Sequence, residues 1–292
     1  MRIAVLVSGR LGYDMLKKIN KEYIVIFVCT DNRSTDILNY CDKNTIPCFR
    51  GNPREGKAKC FLEQFEVDVV VSINYLFLVD EDIIVLPKKL IFNIHGSLLP
   101  KYRGRTPHVW AIINGENKAG ITAHKIELGC DTGAIIEQIE VPILKEETGA
   151  DILNKYNELY FPLVKKVLCA MNEGKLKFRE QDTAKATYFG KRTPDDGEIN
   201  WSNNSEDIRN WVRAQAAPYP GAFTFYQNQK IIIDRVSLIE YEFSDKNQNG
   251  EILEIYPNII VKTQNGTLSV DVIRMENCIF DIGNLFSYEN RK

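Results

Sequence analysis

Five short apolar runs, separated by helical patterns, constrain this chain more than any other feature of its sequence. They cover residues 3–7, 23–29, 45–49, 67–73 and 90–94 and are rich in Val and Ile. Helical spacing follows the first run through Leu16 and Ile19 and the second over residues 34–43. Strands that are apolar on both faces belong to parallel sheets covered on both sides by helices. The expected class is therefore α/β, a Rossmann-like, mostly parallel sheet with helices on both faces. Such a sheet keeps its ligands in loops at the carboxyl ends of its strands.

The pattern changes near Ala119. Two alternating runs up to Val141 flank the loop Leu128-Gly-Cys-Asp-Thr-Gly133, which reads as an antiparallel excursion. A long helix follows, opened by Thr148 three residues before Asp151 in the manner of a capping box. It is stopped by Gly174, and Pro162 within it predicts a kink. Thr193-Pro-Asp-Asp-Gly197 is turn chemistry and reads as a linker. An amphipathic helix over about 205–216 leads to strand candidates at 223–226, 230–240, 250–255, 259–263 and 268–274. Asn249-Gly250 and Asn265-Gly266 are expected hairpin turns. These strands predict a small all-β, OB-like barrel. The 292 residues exceed what one core usually supports, and the expected division is 1–188, a linker at 189–204, and 205–292.

Composition removes several classes of function. Lys plus Arg number 37 and Asp plus Glu 39, a formal charge of −2, which argues against a nucleic-acid coat and against an anionic membrane surface. The longest apolar stretch, 67–79, is broken by Asp68, Ser72 and Asn74 and is too short to span a bilayer. Met1-Arg2 runs directly into the first strand without a signal-peptide pattern, so a cytoplasmic location is expected. The seven cysteines (29, 41, 48, 60, 130, 169 and 278) form no Cys-x-x-Cys and have no His pair beside them. Free thiols in a reducing compartment, with no metal site, are the expectation.

Two segments carry chemistry. Ser8-Gly-Arg-Leu-Gly12 joins a strand to a helix, where backbone amides could hold an anion. Asp31 near the end of the second run imitates the acid of a dinucleotide fingerprint, but Gly-x-x-Gly is not Gly-x-Gly-x-x-Gly. A nicotinamide dehydrogenase is therefore disfavoured. A ligand-free tight turn and a phosphate or substrate contact both fit this loop. In Phe92-Asn-Ile-His-Gly-Ser-Leu-Leu-Pro-Lys-Tyr-Arg-Gly-Arg105, Asn93 and His95 are two apart and share a strand face. An amide donor beside an imidazole suits acyl transfer to an amine, which needs an oxyanion stabiliser and a proton acceptor. The same pair could instead satisfy backbone groups at a strand end. His108, on a helix, and His124, in an alternating strand, read as structural.

The Asn93–Gly104 segment and Leu128-Gly-Cys-Asp-Thr-Gly-Ala-Ile resemble the signature of the folate-dependent formyltransferases. That superfamily includes methionyl-tRNA, glycinamide ribonucleotide and sugar-nucleotide formyltransferases. Phe189-Gly-Lys-Arg-Thr-Pro-Asp-Asp and Arg213-Ala-Gln-Ala-Ala-Pro-Tyr-Pro-Gly-Ala-Phe are similar to the formyltransferase half of the bacterial enzyme that modifies UDP-4-amino-arabinose. The resemblance implies that 10-formyltetrahydrofolate is the formyl donor. It implies His95 as general base, Asn93 as oxyanion stabiliser and Asp131 as the group that orients His95. Phe77, Leu78, Val79, Arg105, Glu127, Leu128, Gly129 and Cys130 fall at folate-binding positions, the first three acting through backbone groups. Direct amine attack gives the Cys130 thiol no chemical role.

The acceptor is argued separately. A tRNA formyltransferase carries a basic insertion after the second strand, whereas residues 31–47 here hold Asp31, Asp36 and Asp42 against Arg33 and Lys43. Glycinamide ribonucleotide formyltransferase lacks a second domain. A formylfolate hydrolase would carry an amino-terminal regulatory domain, and here the first strand begins at residue 3. A dTDP- or UDP-linked amino-deoxy sugar of bacterial surface-glycan (lipopolysaccharide, O-antigen) synthesis is the expected acceptor, with methionyl-tRNA as the alternative. A non-catalytic folate or nucleotide binder is disfavoured by the three catalytic residues. Phe189 and Tyr219 could stack on a pyrimidine, or could simply pack an interface between domains. Lys191 and Arg192 would lie near a pyrophosphate, and Ser8, Gly9, Arg10 and Tyr75 complete the expected substrate set. Trp110 and Trp211 read as core or interface. The expected partners are small molecules, with no nucleic acid, no membrane and a possible homodimer through the β tail.

Overall fold

The computed structural model describes residues 1–274 and 278–287. The first strands and helices alternate as β1 (Arg2–Val7), α1 (Gly9–Glu22), β2 (Ile24–Thr30), α2 (Thr35–Lys43), β3 (Cys48–Arg50), α3 (Lys59–Leu62), β4 (Val69–Ile73), α4 (Glu81–Ile84) and β5 (Leu90–His95). They are followed by β6 (Arg103–Gly104), α5 (Pro107–Ile113), β7 (Lys118–Lys125), β8 (Ile135–Pro142), α6 (Gly149–Asn172) and β9 (Tyr188–Phe189). The last elements are α7 (Ser205–Ala214), β10 (Ala222–Tyr226), β11 (Gln229–Ile239), β12 (Ile252–Glu254), β13 (Ile259–Lys262) and β14 (Thr267–Arg274).

The chain forms two compact units that interleave in sequence. One comprises Met1–Gly104, Gly120–Val141 and Lys155–Phe189, and the other Arg105–Ala119, Pro142–Asn154 and Gly190–Lys292. The last of five crossings between the units falls between Phe189 and Gly190. No helix among the described residues is long and apolar enough to cross a membrane.

In the first unit a seven-stranded sheet has the order β3-β2-β1-β4-β5-β7-β8. β1 is parallel to β2 and β4, β3 to β2 and β5 to β4, while β7 runs antiparallel to β5. Ile3 through Val7 are wholly buried, which accounts for a run without polar alternation. Strand order reverses at β1, so the carboxyl ends of β1 and β4 flank the switch point where such sheets bind ligands. The third strand starts at Cys48 rather than at residue 45. Thr45 has a positive φ of 54°, and Ile46 N–H still bonds Cys41 O, so the end of α2 occupies the predicted strand start. Thr148 and Asp151 form the reciprocal hydrogen bonds of a capping box at α6. Pro162 lies inside α6 and is exposed, where water can replace the bond it cannot donate.

In the second unit the antiparallel sheet has the order β10-β11-β14-β13-β12. Its ends are joined by residues 283–287, which bond Phe225 beside one edge and Gly250 and Ile252 beside the other. That strip closes the sheet into the expected barrel, with Trp201, Ile208, Val212, Ile233 and Val261 in its core. Asn265-Gly266 turns the β13–β14 hairpin as predicted. Asn249-Gly250 does not turn a hairpin, because the strands on either side of it, β11 and β12, stand apart in the sheet.

Candidate active site

β5 ends with Asn93 and His95 on one face, because alternate residues of a strand point the same way. The antiparallel register sets His124 of β7 opposite Asn93 and Thr122 opposite His95. His124 Nδ1 lies 2.7 Å from Lys125 O, and a carbonyl can only accept, so Nδ1 is the donor. In the neutral ring Nε2 then accepts from Asn93 Nδ2 at 3.2 Å, and the amide keeps a second N–H for another acceptor. His95 is 7% exposed. Its Nε2 donates to Tyr102 O at 2.8 Å, and its Nδ1 faces Asp131 Oδ2 at 3.5 Å.

Asp131 takes a left-handed backbone conformation, φ 54°, which Asp tolerates better than most residues. The loop closes tightly at Gly133, where a Cβ would stand 2.1 Å from Lys125 O. Asp131 Oδ2 accepts from Gly104 N–H at 3.0 Å and lies 3.5 Å from Cys130 Sγ. Oδ1 is 3.5 Å from His124 Nε2. Burial alone would raise the Asp131 pKa. The nearby charge of His95 and the hydrogen bond from the Gly104 N–H outweigh it and hold the carboxyl well below the usual range. An ionised carboxylate therefore flanks both imidazoles.

His124, read from sequence as structural, is part of this cluster. Only the β5–β7 register reveals it. His108 does have a side-chain partner, the Tyr219 hydroxyl at 2.8 Å. The Cys130 thiol touches the Asp131 carboxylate.

At the switch point the first glycine loop is tied to its own unit. Gly9 N–H donates to Ser34 Oγ at 2.8 Å, Ser34 Oγ donates to Asp31 Oδ2 at 2.6 Å, and Asn74 Nδ2 donates to the carbonyl of buried Ser8 at 2.9 Å. Arg33 N–H takes the other oxygen of Asp31. The apparent fingerprint acid is thus a local turn anchor, and a Cβ added at Gly12 would stand 2.9 Å from Val7 Cβ, so α1 packs on β1 there only without a side chain. Arg10 is exposed and pairs with Asp14. The buried Tyr75 hydroxyl has no hydrogen-bond partner among the described residues, and its ring meets Phe77 edge-on at 5.5 Å.

Of the expected folate positions, Leu128 is 71% and Leu78 48% exposed, while Phe77 is half-buried. Val79 packs into the core of the first unit. Glu127, Gly129 and Arg105 are exposed, and Arg105 falls in the second unit. Phe189 belongs to the first unit and stacks on Tyr102 at 5.1 Å and 19°, so one of its faces is covered. Tyr219 belongs to the second.

Arg192 is held by contacts within its own unit. Its guanidinium carbon sits 5.0 Å from the Trp110 ring and 4.4 Å from the Trp211 ring, and its Nη2 donates to Asp196 O and Gln215 Oε1. The charge expected at a pyrophosphate is engaged inside the unit. Lys191 is exposed. A groove of about 840 Å³ opens on the second unit past Tyr241, Phe243 and Glu206, and none of the His95 cluster lines it.

The chain is similar to several solved structures. A sugar 3N-formyl transferase, WlaRD, in the presence of dTDP and 5-N-formyl-THF, matches with 21% identity and a TM-score of 0.73 over 95% of this chain and 99% of that one. An N-formyltransferase from Helicobacter canadensis in complex with folinic acid and dTDP-3-aminofucose matches at 23% identity and 0.70, over 92% and 97%. A 4-N formyltransferase from Francisella tularensis matches at 20% and 0.67, over 80% and 96%. At these identities the likeness establishes the fold. Residues 1–167 match the family model described as formyl transferase and residues 191–280 that of the formyl transferase C-terminal domain, so the chain belongs to the formyl transferase family.

Proposed function

We propose that this chain transfers the formyl group of 10-formyltetrahydrofolate to the amine of a dTDP- or UDP-linked amino-deoxy sugar, in the cytoplasm and for bacterial surface glycan. The reading is carried by the cluster of Asn93, His95, His124 and Asp131, which holds an amide donor and a carboxylate-flanked imidazole on one sheet face. The sugar acceptor is supported by the likeness of both units to structures solved with dTDP and a formylated folate. The slightly acidic stretch at 31–47 weighs against tRNA.

The amine nitrogen bonds to the formyl carbon, and the carbonyl electron pair moves to oxygen. The second N–H of Asn93 donates to that oxyanion. With its Nε2–H held on Tyr102 O, His95 has Nδ1 to accept the ammonium proton, and the Asp131 carboxylate stabilises the imidazolium formed. His95 returns this proton to the folate nitrogen as the carbon–nitrogen bond to the folate breaks, leaving an N-formyl sugar and tetrahydrofolate. The residues suit such a donor: Leu128, three residues from Asp131, and Leu78 offer exposed apolar surface to a flat ring. Phe189, a half-buried ring stacked on Tyr102, is the aromatic proposed to meet the pyrimidine.

Incubation with 10-formyltetrahydrofolate and a panel of dTDP-, UDP- and GDP-linked amino sugars tests the proposal. Formylation of at least one dTDP or UDP sugar is expected. Turnover with charged methionyl-tRNA alone would overturn the sugar assignment while leaving the catalytic one intact.

A further inference from the structure

The segment 102–104 touches both members of the His95–Asp131 pair. Tyr102 supplies the carbonyl that holds His95 Nε2, and Gly104 supplies the N–H that holds Asp131 Oδ2. Between them Arg103 points the other way and is 2% exposed. A buried guanidinium needs acceptors on its nitrogens. Arg103 Nε and Nη2 donate to Gln181 Oε1 at 3.2 and 2.7 Å, and Nη1 donates to the Tyr188 hydroxyl.

Gln181 uses its other end on the catalytic loop. Its Nε2 lies 2.8 Å from Asp131 O and 2.8 Å from Gly133 O. The local pairing explains why a side chain does this. Ile135 and Arg179 exchange two backbone hydrogen bonds in an antiparallel bridge, and two residues further on Gln181 would face Gly133. The backbone pairing stops there, and the Gln181 amide takes the place of the missing rung. All three hydrogen-bonding atoms of that amide face partners: two carbonyls on the N–H side and a guanidinium on the oxygen.

We infer that Gln181, fixed by Arg103, is a positioning residue for formyl transfer, closing a ring of contacts that sets Asp131 against His95. The ring runs from His95 to Tyr102, through Arg103 and Gly104 to Asp131, and from the Asp131 carbonyl through Gln181 back to Arg103. Gln181 touches no reacting atom. It acts by holding a loop whose Asp131 is in the left-handed region, a conformation the surroundings must enforce. The groups that face the Asp131 carboxylate are His95 from β5, His124 from β7, the Cys130 thiol and the Gly104 N–H.

The inference rests on the formyl-transfer reading of His95 and Asp131. It is tested with Gln181→Glu and Gln181→Ala in the full chain. Gln181→Glu keeps an acceptor for Arg103 and deletes both donors to the loop, so it retains the buried partner and isolates the positioning role. We expect kcat to fall at least about 10-fold, toward the roughly 100-fold that a 1 Å misplacement can cost, with KM for donor and acceptor within about threefold. Gln181→Ala, which adds no charge, should lose at least as much kcat with KM equally unmoved. Wild-type kcat in Gln181→Glu, or in either variant a loss of kcat/KM that lies in KM rather than in kcat, would overturn the inference. Failure of the wild type to formylate any acceptor in the same assay would instead overturn the functional reading.

Discussion

Replacing His108 with Gln should remove an acid-sensitive contribution from the stability of the second unit. His108 lies on α5, half-buried, with Nε2 2.8 Å from the Tyr219 hydroxyl. Burial holds its pKa down at about 4, against about 6.5 in an unfolded chain. Between those values the folded state binds fewer protons than the unfolded one, so stability falls as pH falls. The contribution is whole above about pH 6.5, fades down to about pH 4 and is constant below. At pH 5 the unfolded ring is almost fully charged and the folded ring almost neutral. Linkage puts the loss between pH 7 and pH 5 at about 2 kcal/mol for a fully enclosed ring, or roughly 1–2 kcal/mol once partial exposure is allowed for. Gln can still accept from the Tyr219 hydroxyl but does not titrate. All three tryptophans, Trp110, Trp201 and Trp211, belong to the second unit, so tryptophan fluorescence during urea unfolding follows that unit. The wild type should lose roughly 1–2 kcal/mol more than the variant between pH 7 and pH 5. Equal losses would refute the reasoning, because His108 would then not be held neutral by the fold.

Three further outcomes follow from the first unit. Steady-state kinetics should show His95→Ala and Asn93→Ala each lowering kcat by about 100-fold or more, since in the proposed mechanism each removes a proton acceptor or an oxyanion donor. His124→Leu, which strips the acceptor that orients the Asn93 amide, should lower kcat by a smaller factor, and wild-type kcat in that variant would remove His124 from the site. Gly133→Ala places a methyl 2.1 Å from the Lys125 carbonyl, a backbone contact that cannot swing aside. It should destabilise the first unit by roughly 1–3 kcal/mol, read as a lowered thermal midpoint.

What the sequence disclosed about this site follows from how local each relation is. Asn93 and His95 share a face by strand geometry alone, so their pairing is visible without any partner strand. His124 depends on a register set across 31 residues, and a slip of one residue would turn it to the opposite face. Its strand was legible, its neighbour was not. Arg192 shows a related limit. In sequence it is a basic residue in a loop, and its contacts with the indoles at 110 and 211 come from long-range packing. Asn249-Gly250 carries the chemistry of a hairpin turn, but a barrel with the order β10-β11-β14-β13-β12 places the flanking strands apart. Element type was set by local pattern, and what the sequence hid lies in long-range pairing and packing.

The same distinction explains the form of the Asp131 loop. Gly-Cys-Asp-Thr-Gly reads as a tight turn beside a ligand, and the turn is there. The left-handed backbone at Asp131 costs of order 1 kcal/mol or more, and persists only where surrounding contacts enforce it. Those contacts come from Gly104, 27 residues before, and Gln181, 50 residues after. Asp suits such a position twice over. Its backbone tolerates the left-handed region, and its carboxylate reaches His95 and His124 together. A glycine would ease the backbone and lose the charge, while a β-branched residue would lose both. The residue at this position is therefore fixed jointly by conformation and by chemistry, whereas the residues that hold it, Gln181 and Arg103, are fixed only by where the chain returns.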